Sequence, residues 1–313
     1  MTQIFDTIRN PDLPWPPGNA GTTEYVFRCF YSSPRETFPL FRFHYTDFRG
    51  DDLQGDTTQI LDVRKNVIDA HTVVFLLDGQ KILDALNRTP VKGFSINDDL
   101  DTISDLAMDC IRKPMQFVIT KADVLSAHSF EKIRHFLLEH PKFSFVVRER
   151  RDAGRPAYLI PISAVGENFA RYDAVSKSIV KRPDASPQPY NLEVTLALVI
   201  TDTLLGLIKD RLKDGDPKLG LFLRGLIGTG QFVNWVTKIG IINAGDPWSV
   251  MLLVMLNGVN NRVISAAEQK KLLLGITDKK TALHNITQLQ HSQKNEFLAQ
   301  FPAANLLHVM EDH

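Results

Sequence analysis

The chain has 313 residues, of which 43% are hydrophobic and 23% charged, a composition typical of a globular protein with one large or two small domains. Its 36 Lys and Arg residues balance 36 Asp and Glu residues, so net charge gives no sign of a nucleic-acid partner or of an anionic membrane. The chain has neither a secretory signal nor an apolar run of about 18 residues, and we expect a cytoplasmic protein without a transmembrane segment.

The N-terminal part of the chain predicts an arm followed by two strands. Residues 1–20 contain four prolines, which exclude a long helix or a central strand there. Aromatic and β-branched residues then predict strands at Tyr25–Tyr31 and at Phe41–Asp47, joined as an antiparallel hairpin. Cys29 and Cys110 are the two cysteines of the chain, and both are expected to be small buried hydrophobes.

Strands then alternate with helical patterns. Three apolar runs, each preceded by a helical pattern, lie at residues 72–78, 115–119 and 157–162. The alternation predicts an α/β fold with a mainly parallel sheet and helices on both faces. The charged residues 148–155 are expected to form a solvated loop between a helix and the last strand.

A helical region is predicted after the sheet. Residues 166–190 are irregular and rich in proline, and 191–213 form a long amphipathic helix that completes a domain of residues 1–213. Residues 214–313 are predicted to be a helical C-terminal region. For its apolar part, 218–259, we favour a buried helical core over a segment at a membrane interface.

Polar residues end or follow the predicted strands at four places. They lie at Asp47–Gly50, at Asp78, at Thr120–Asp123 and at Ser163–Ala164. The carboxyl ends of parallel strands meet at one edge of a sheet, which is where open α/β sheets bind ligands. Each group also has a purely structural explanation; Thr120–Asp123, for example, could cap a helix that begins near Ser126.

The order of these motifs resembles the guanine-nucleotide-binding domain of the P-loop GTPases, over about residues 21–212. Thr22 or Thr23 resembles the first switch, and Asp47 to Gly50 resembles the D-x-x-G of the second. The other two motifs resemble the [NT]-K-x-D base-reading motif and the S-A closing motif; they are Thr120-Lys121-Ala122-Asp123 and Ser163-Ala164.

The resemblance implies GTP or GDP and Mg²⁺ as ligands. Asp123 would accept hydrogen bonds from N1 and N2 of guanine, Lys121 would lie along the base, and the Ala164 N–H would meet guanine O6. Asp47 would hold Mg²⁺ through water. The Gly50 N–H and a threonine hydroxyl would sense the γ-phosphate.

The sequence departs from the family at its front. No stretch matches G-x-x-x-x-G-K-[ST], the loop that binds the phosphates, and its central strand is missing as well. Three explanations are open: the protein extends upstream of Met1, a partner chain supplies the strand, or residues 1–20 fill the position. We favour an N-terminally incomplete domain. Asp51 follows Gly50 where hydrolysing relatives have Gln or His, so no catalytic residue is assigned.

Two functions follow as expectations. The first is a guanine-nucleotide-binding switch whose helical region acts on a protein partner. The alternative is a pseudo-GTPase scaffold that acts through protein contacts without hydrolysis. The C-terminal extension looks most like large bacterial GTPases, including paired double-GTPase families of conflict systems, which implies a second GTPase as partner.

Overall fold

The computed structural model describes residues 10, 13, 23–32, 37–47, 57–90, 93–173, 178–182, 184–213, 267 and 279–309. These residues fall into two compact units. Unit 1 comprises the described residues of Met1–Thr23, Phe48–Thr195 and Ala303–His313, and unit 2 those of Glu24–Asp47 and Leu196–Pro302. The predicted domain boundary near residue 214 lies outside the described residues and stays a prediction.

The strands are β1 (Thr23–Ser32), β2 (Thr37–Asp47), β3 (Val73–Asp78), β4 (Met115–Thr120), β5 (Tyr158–Pro161), β6 (Ala170–Asp173) and β7 (Ser178–Lys181). The α-helices are α1 (Thr57–Asp69), α2 (Gly79–Leu86), α3 (Ile96–Asp109), α4 (Phe130–Leu138), α5 (Pro141–Asp152), α6 (Leu192–Lys213) and α7 (Lys279–Gln300). Short 3₁₀ helices lie at Ala122–Leu125, Pro302–Ala304 and Leu306–Val309.

Unit 1 is built on a parallel sheet of three strands, in the order β3-β4-β5. Val73 is level with Met115 and Asp78 with Thr120, so β3 and β4 end at the same height. Ile119 is level with Pro161 at the end of β5. The predicted α/β class and the three parallel strands are therefore confirmed.

The core of unit 1 lies where helices α1 to α5 cover this sheet. Phe117 of β4 stacks on Phe75 of β3 at 5.7 Å and meets Phe143 of α5 edge-on at 4.8 Å between ring centroids. Each large apolar side chain buried in this way contributes about 1.5–3 kcal/mol to folding. The core thereby fixes the strands whose ends carry the predicted site.

The predicted solvated loop at residues 148–155 is wrong. Helix α5 continues to Asp152, and Arg150 within it has no exposed surface. Arg150 follows Phe143, Val146 and Val147 at the spacing of one helix face, so it occupies the next core position of the stripe. High charge density in the sequence hid this helical periodicity.

Other segments also differ from the prediction. The stretch 166–190, predicted to be irregular, contains the antiparallel hairpin β6–β7, and the mostly polar residues 79–97 contain helix α2. Among the described residues, β1 and β2 form a two-stranded sheet of their own and do not extend the parallel sheet. Alternating aromatic residues predict a strand, but they do not specify its pairing partner.

The helices after the sheet agree with the prediction where they are described. Helix α6 covers the predicted long helix, and α7 lies in the predicted helical region. The apolar segment 218–259 lies outside the described residues. No described helix combines the length and the apolar character needed to cross a membrane.

Candidate functional site

The turn after β4 is bonded to the strands on both sides of it. The Thr120 hydroxyl donates to the Leu77 carbonyl of β3 at 3.2 Å, and the Ala122 N–H donates to the Ile162 carbonyl after β5 at 2.9 Å. The structure therefore brings the predicted Thr120–Asp123 motif to the carboxyl edge of the sheet, level with the ends of both neighbouring strands.

Lys121 adopts a strained backbone conformation at this edge. Its φ of 51° lies in the left-handed region, which costs a residue with a side chain about 1–2 kcal/mol. Its Nζ lies 2.8 Å from Oδ2 of Asp78, at the end of β3. Strain of this kind persists where the surroundings impose it, and it is frequent at functional sites.

Gly79 allows helix α2 to begin directly against this turn. A Cβ at Gly79 would lie 2.5 Å from the Thr120 carbonyl oxygen and 2.8 Å from that of Lys121, too close for any side chain. Asp78 caps the same helix, because its Oδ1 accepts from the Gln80 N–H at 2.8 Å. The two oxygens of Asp78 thus connect the helix start to the Lys121 ammonium.

Ser163 holds the carboxylate of Asp123. Its Oγ lies 2.6 Å from Asp123 Oδ1 and accepts from the N–H groups of Val165 at 3.2 Å and Gly166 at 2.8 Å. A hydroxyl has one proton, and an ionised carboxylate has none to donate. The proton of this fully buried serine must therefore point to Asp123, which fixes the carboxylate 40 positions away in sequence.

Tyr190 lies beside Ser163 and near Asp123 in unit 1. Its backbone exchanges two hydrogen bonds with Ser163, at 3.0 and 3.3 Å. Burial raises the pKa of the Tyr190 phenol, and the negative charges of Asp123 and Glu167 raise it further. The side chain thus stays a neutral hydrogen-bonding group near Asp123 at any physiological pH.

The other predicted residues are placed as follows. Ala164 is exposed beside Ser163, and Thr23 is the first residue of β1. Thr22 and Gly50 lie outside the described residues. Asp47 ends β2, which belongs to unit 2, and its side chain is not among those described. In the described part of the chain, no group of three or more His, Cys, Asp and Glu residues is arranged to hold a metal ion.

Three residues at the edge were not predicted as site residues: Asp78, Gly79 and Tyr190. The sequence places Asp78 at this edge but assigns it no role, and Gly79 follows it directly; their position after an apolar run, shared with Thr120–Asp123, is the signal for both. Tyr190 is 27 positions after Ser163, and no local pattern in the sequence indicates that pairing.

An open cavity of about 790 Å³ lies beside the loop after Ser163. Its lining includes Val165, Asn168, Lys181 and Arg182, but neither Lys121 nor Asp123. The Lys181 ammonium donates to the carbonyls of Asn10 and Leu13, at 2.8 and 2.9 Å. The cavity therefore does not coincide with the predicted base-reading residues.

Comparisons with protein-family models, with curated proteins and with solved structures found no match for this chain. The resemblance to P-loop GTPases therefore stays a prediction from the motifs.

Proposed function

We propose that this chain binds guanine nucleotide at the carboxyl edge of β3–β5 and that Asp123 recognises the base. The observation that carries the proposal is the 2.6 Å hydrogen bond by which Ser163 orients Asp123. A carboxylate that selects a base must be held in one orientation before the ligand arrives, because a mobile side chain would lose conformational entropy on binding.

Guanine matches a fixed carboxylate better than adenine does. Guanine presents two neighbouring donors, the N1–H and the N2 amino group, to the two oxygens of Asp123. Oδ1 has a second lone pair beyond the one that accepts from Ser163, so both oxygens can accept from the base. Adenine has an acceptor at N1 and no amino group at C2, and would leave the carboxylate unpaired at a cost.

Lys121 and Ala164 complete the proposed base site. Lys121 has an aliphatic stem that can cover one face of the purine while its ammonium contacts Asp78, 2.8 Å away. Ala164 is exposed next to Ser163, so its backbone N–H is a suitable donor to guanine O6. The Mg²⁺ and phosphate contacts proposed for Asp47, Gly50 and a threonine at 22 or 23 are predictions from the sequence alone.

Titration with a fluorescent GTP analogue in the presence of Mg²⁺, with ATP as competitor, tests this proposal. Asp123→Asn should weaken GTP binding by about 30-fold or more, since a hydrogen bond to a charged group contributes about 2 kcal/mol. The same variant should gain affinity for xanthosine triphosphate, because the amide offers a donor to the C2 carbonyl that xanthine has in place of the amino group.

Asp69→Asn is the matched control, because Asp69 is exposed at the end of α1 in the same unit and the substitution changes the charge equally. It should leave the affinity for GTP unchanged. Two results contradict the proposal: no saturable GTP binding by the folded chain, or GTP binding that Asp123→Asn leaves intact and ATP displaces.

The alternative is a pseudo-GTPase scaffold, in which the same edge contacts a protein partner without turnover. One feature of the sequence favours it, the lack of G-x-x-x-x-G-K-[ST], the loop that binds the phosphates. A folded chain that fails to bind GTP, while Lys121→Ala alters the capture of a protein partner, would favour the scaffold.

A further inference from the structure

Strand β1 exposes apolar side chains on both of its faces. Successive residues of a strand point to opposite faces, so Tyr25 and Phe27 share one face and Val26 and Phe30 share the other. Their exposed fractions are 40% for Tyr25, 40% for Phe27, 51% for Val26 and 52% for Phe30. A strand with one solvated face normally alternates apolar and polar residues, whereas β1 exposes apolar residues on both faces. A strand paired to its outer edge would cover part of them through cross-strand side-chain contacts.

β1 is also an edge strand in the described part of the chain, where it pairs with β2 alone, whereas β2 is contacted by helix α7. Natural edge strands are usually short, or carry lysine, proline or a bulge that prevents further pairing. β1 has ten residues and contains no Lys, Pro or Gly. A sheet of only two strands is marginally stable, and additional strands stabilise it.

The charges of β1 match an antiparallel copy of the same strand. Glu24 and Arg28 are exposed, lie on the same face as Val26, and stand two residues before and after it. An antiparallel pair about a two-fold axis at Val26 places Glu24 of each copy opposite Arg28 of the other, and Tyr25 opposite Phe27. A parallel pair in register would instead place Glu24 opposite Glu24, and like charges directly opposite are destabilising.

We propose that β1 is a dimerisation strand, whose outer edge pairs antiparallel with β1 of a second copy of this chain about a two-fold axis at Val26. The pairing joins two two-stranded sheets into one of four strands. It forms two cross-strand ion pairs between Glu24 and Arg28 and two aromatic pairs between Tyr25 and Phe27. Such an interface is self-complementary, as a two-fold dimer requires.

Sedimentation velocity of the full chain over a range of concentrations tests the pairing. The wild-type chain should show a concentration-dependent dimer. Glu24→Arg and Arg28→Glu should each raise the dimer dissociation constant by about tenfold or more, since each converts two attractive pairs into two repulsive ones. An equimolar mixture of the two variants should regain the wild-type affinity, because every basic residue then faces an acidic one.

Two exposed residues of unit 1 give matched controls, Glu131→Arg and Arg148→Glu, which change the net charge by the same amounts. Both should dimerise like the wild type. A wild-type chain that is monomeric at all concentrations overturns the proposal. Single variants that dimerise as tightly as the wild type also overturn it, as does a mixture that dimerises no better than its components.

Cross-linking tests the axis itself. In a Cys29→Ser background, Val26→Cys should form a disulfide-linked dimer on mild oxidation, because residues on the axis face their own copies within disulfide reach. Leu61→Cys, on helix α1 and 62% exposed, is the control and should stay monomeric. If the folded Val26→Cys variant cross-links no faster than Leu61→Cys, the axis is not at Val26 and the proposal fails.

Discussion

Each of the two units buries a cation, and they satisfy it in different ways. In unit 1, Arg150 is fully buried and donates to three backbone carbonyls, those of Ile111, Lys113 and Pro156. In unit 2, Lys294 of helix α7 is buried and lies 2.9 Å from Oδ1 of Asp202 in helix α6. A planar fork of donors can serve several fixed carbonyls, whereas a compact ammonium is better matched by one carboxylate.

The two cations have different partners because the two units offer different acceptors, backbone carbonyls in unit 1 and a carboxylate in unit 2. The carbonyls that Arg150 bonds lie before β4 and before β5, so one side chain ties together the two segments that lead into the sheet. The Asp202–Lys294 pair instead links two helices of unit 2 that are 92 positions apart. Such a pair loses the hydration of two charges, so its net contribution is small, but breaking it is costly.

Loss of the Arg150 guanidinium should give the largest decrease in the free energy of unfolding. Arg150→Met keeps much of the side-chain volume but leaves three partly buried carbonyls without their donors, at about 1–3 kcal/mol each. We expect a loss of about 5 kcal/mol in the free energy of unfolding, measured by urea denaturation. Hydrogen exchange should show lost protection in β4 and β5.

The control for this prediction is Arg148→Met, because Arg148 is exposed on the same helix. It should change the free energy of unfolding by less than about 0.5 kcal/mol. If Arg148→Met and Arg150→Met destabilise the protein equally, the carbonyl contacts do not carry the stability assigned to them.

Breaking the ion pair of unit 2 should cost somewhat less. Lys294→Met leaves the buried Asp202 carboxylate without its cation, and we expect a loss of about 3–4 kcal/mol in the free energy of unfolding. Hydrogen exchange should show the loss in α6 and α7. The double variant Asp202→Leu with Lys294→Met should recover most of it, because the unpaired charge is then gone. A double variant as unstable as the single one would contradict this explanation.

The sequence was informative where one local signal decides the structure. The three apolar runs specified β3, β4 and β5, and their shared direction placed Thr120–Asp123 and Ser163 at one edge. Their hydrogen bonds to neighbouring strands follow from that placement. Parallel strands joined by helices leave few alternatives, which is why this part of the fold was predictable.

The sequence was less informative where the burial or pairing of a residue depends on a partner far away in the chain. Arg150 looks solvated beside its charged neighbours, and only the carbonyls of residues 111–113 and 156 explain its burial. Asp78 and Tyr190 join the site through Lys121 and Ser163, each tens of residues away. The sheet formed by β1 and β2 shows the same effect, since the strand pattern does not fix which sheet a strand joins.

A backbone contact in unit 1 gives a third prediction. Gly79→Ala should destabilise the protein by about 2 kcal/mol, because the new Cβ would clash with the Thr120 and Lys121 carbonyls and push α2 away from the turn. Calorimetry should show the lower stability, and GTP binding should weaken if Lys121 and Asp123 move. Asn66→Ala is the control, since Asn66 is exposed on helix α1 of the same unit. Equal weakening of GTP binding by both variants would argue against the close contact as its cause.

The smallest expected effect on the free energy of unfolding is a pH dependence caused by Cys110 in unit 1. Cys110 is buried as predicted, and burial raises the pKa of its thiol to about 11, against the opposing influence of Arg150 and Lys113. Below about pH 8 the thiol is mostly protonated in both the folded and the unfolded chain, so it contributes little to any change of stability with pH there. Between pH 9 and 11 the unfolded chain loses this proton first, so the free energy of unfolding falls as pH rises.

The expected loss at pH 10 is about 1 kcal/mol, since one unit of pKa difference corresponds to about 1.4 kcal/mol. Urea denaturation of wild type and Cys110→Ala at pH 8 and pH 10 isolates this contribution, because tyrosines and lysines titrate alike in both proteins. The wild type should lose more stability than Cys110→Ala over this interval. If both lose the same amount, the thiol titrates in the folded chain as it does in the unfolded one. In that case Arg150, a fully buried cation of unit 1, lies close enough to offset the effect of burial on Cys110.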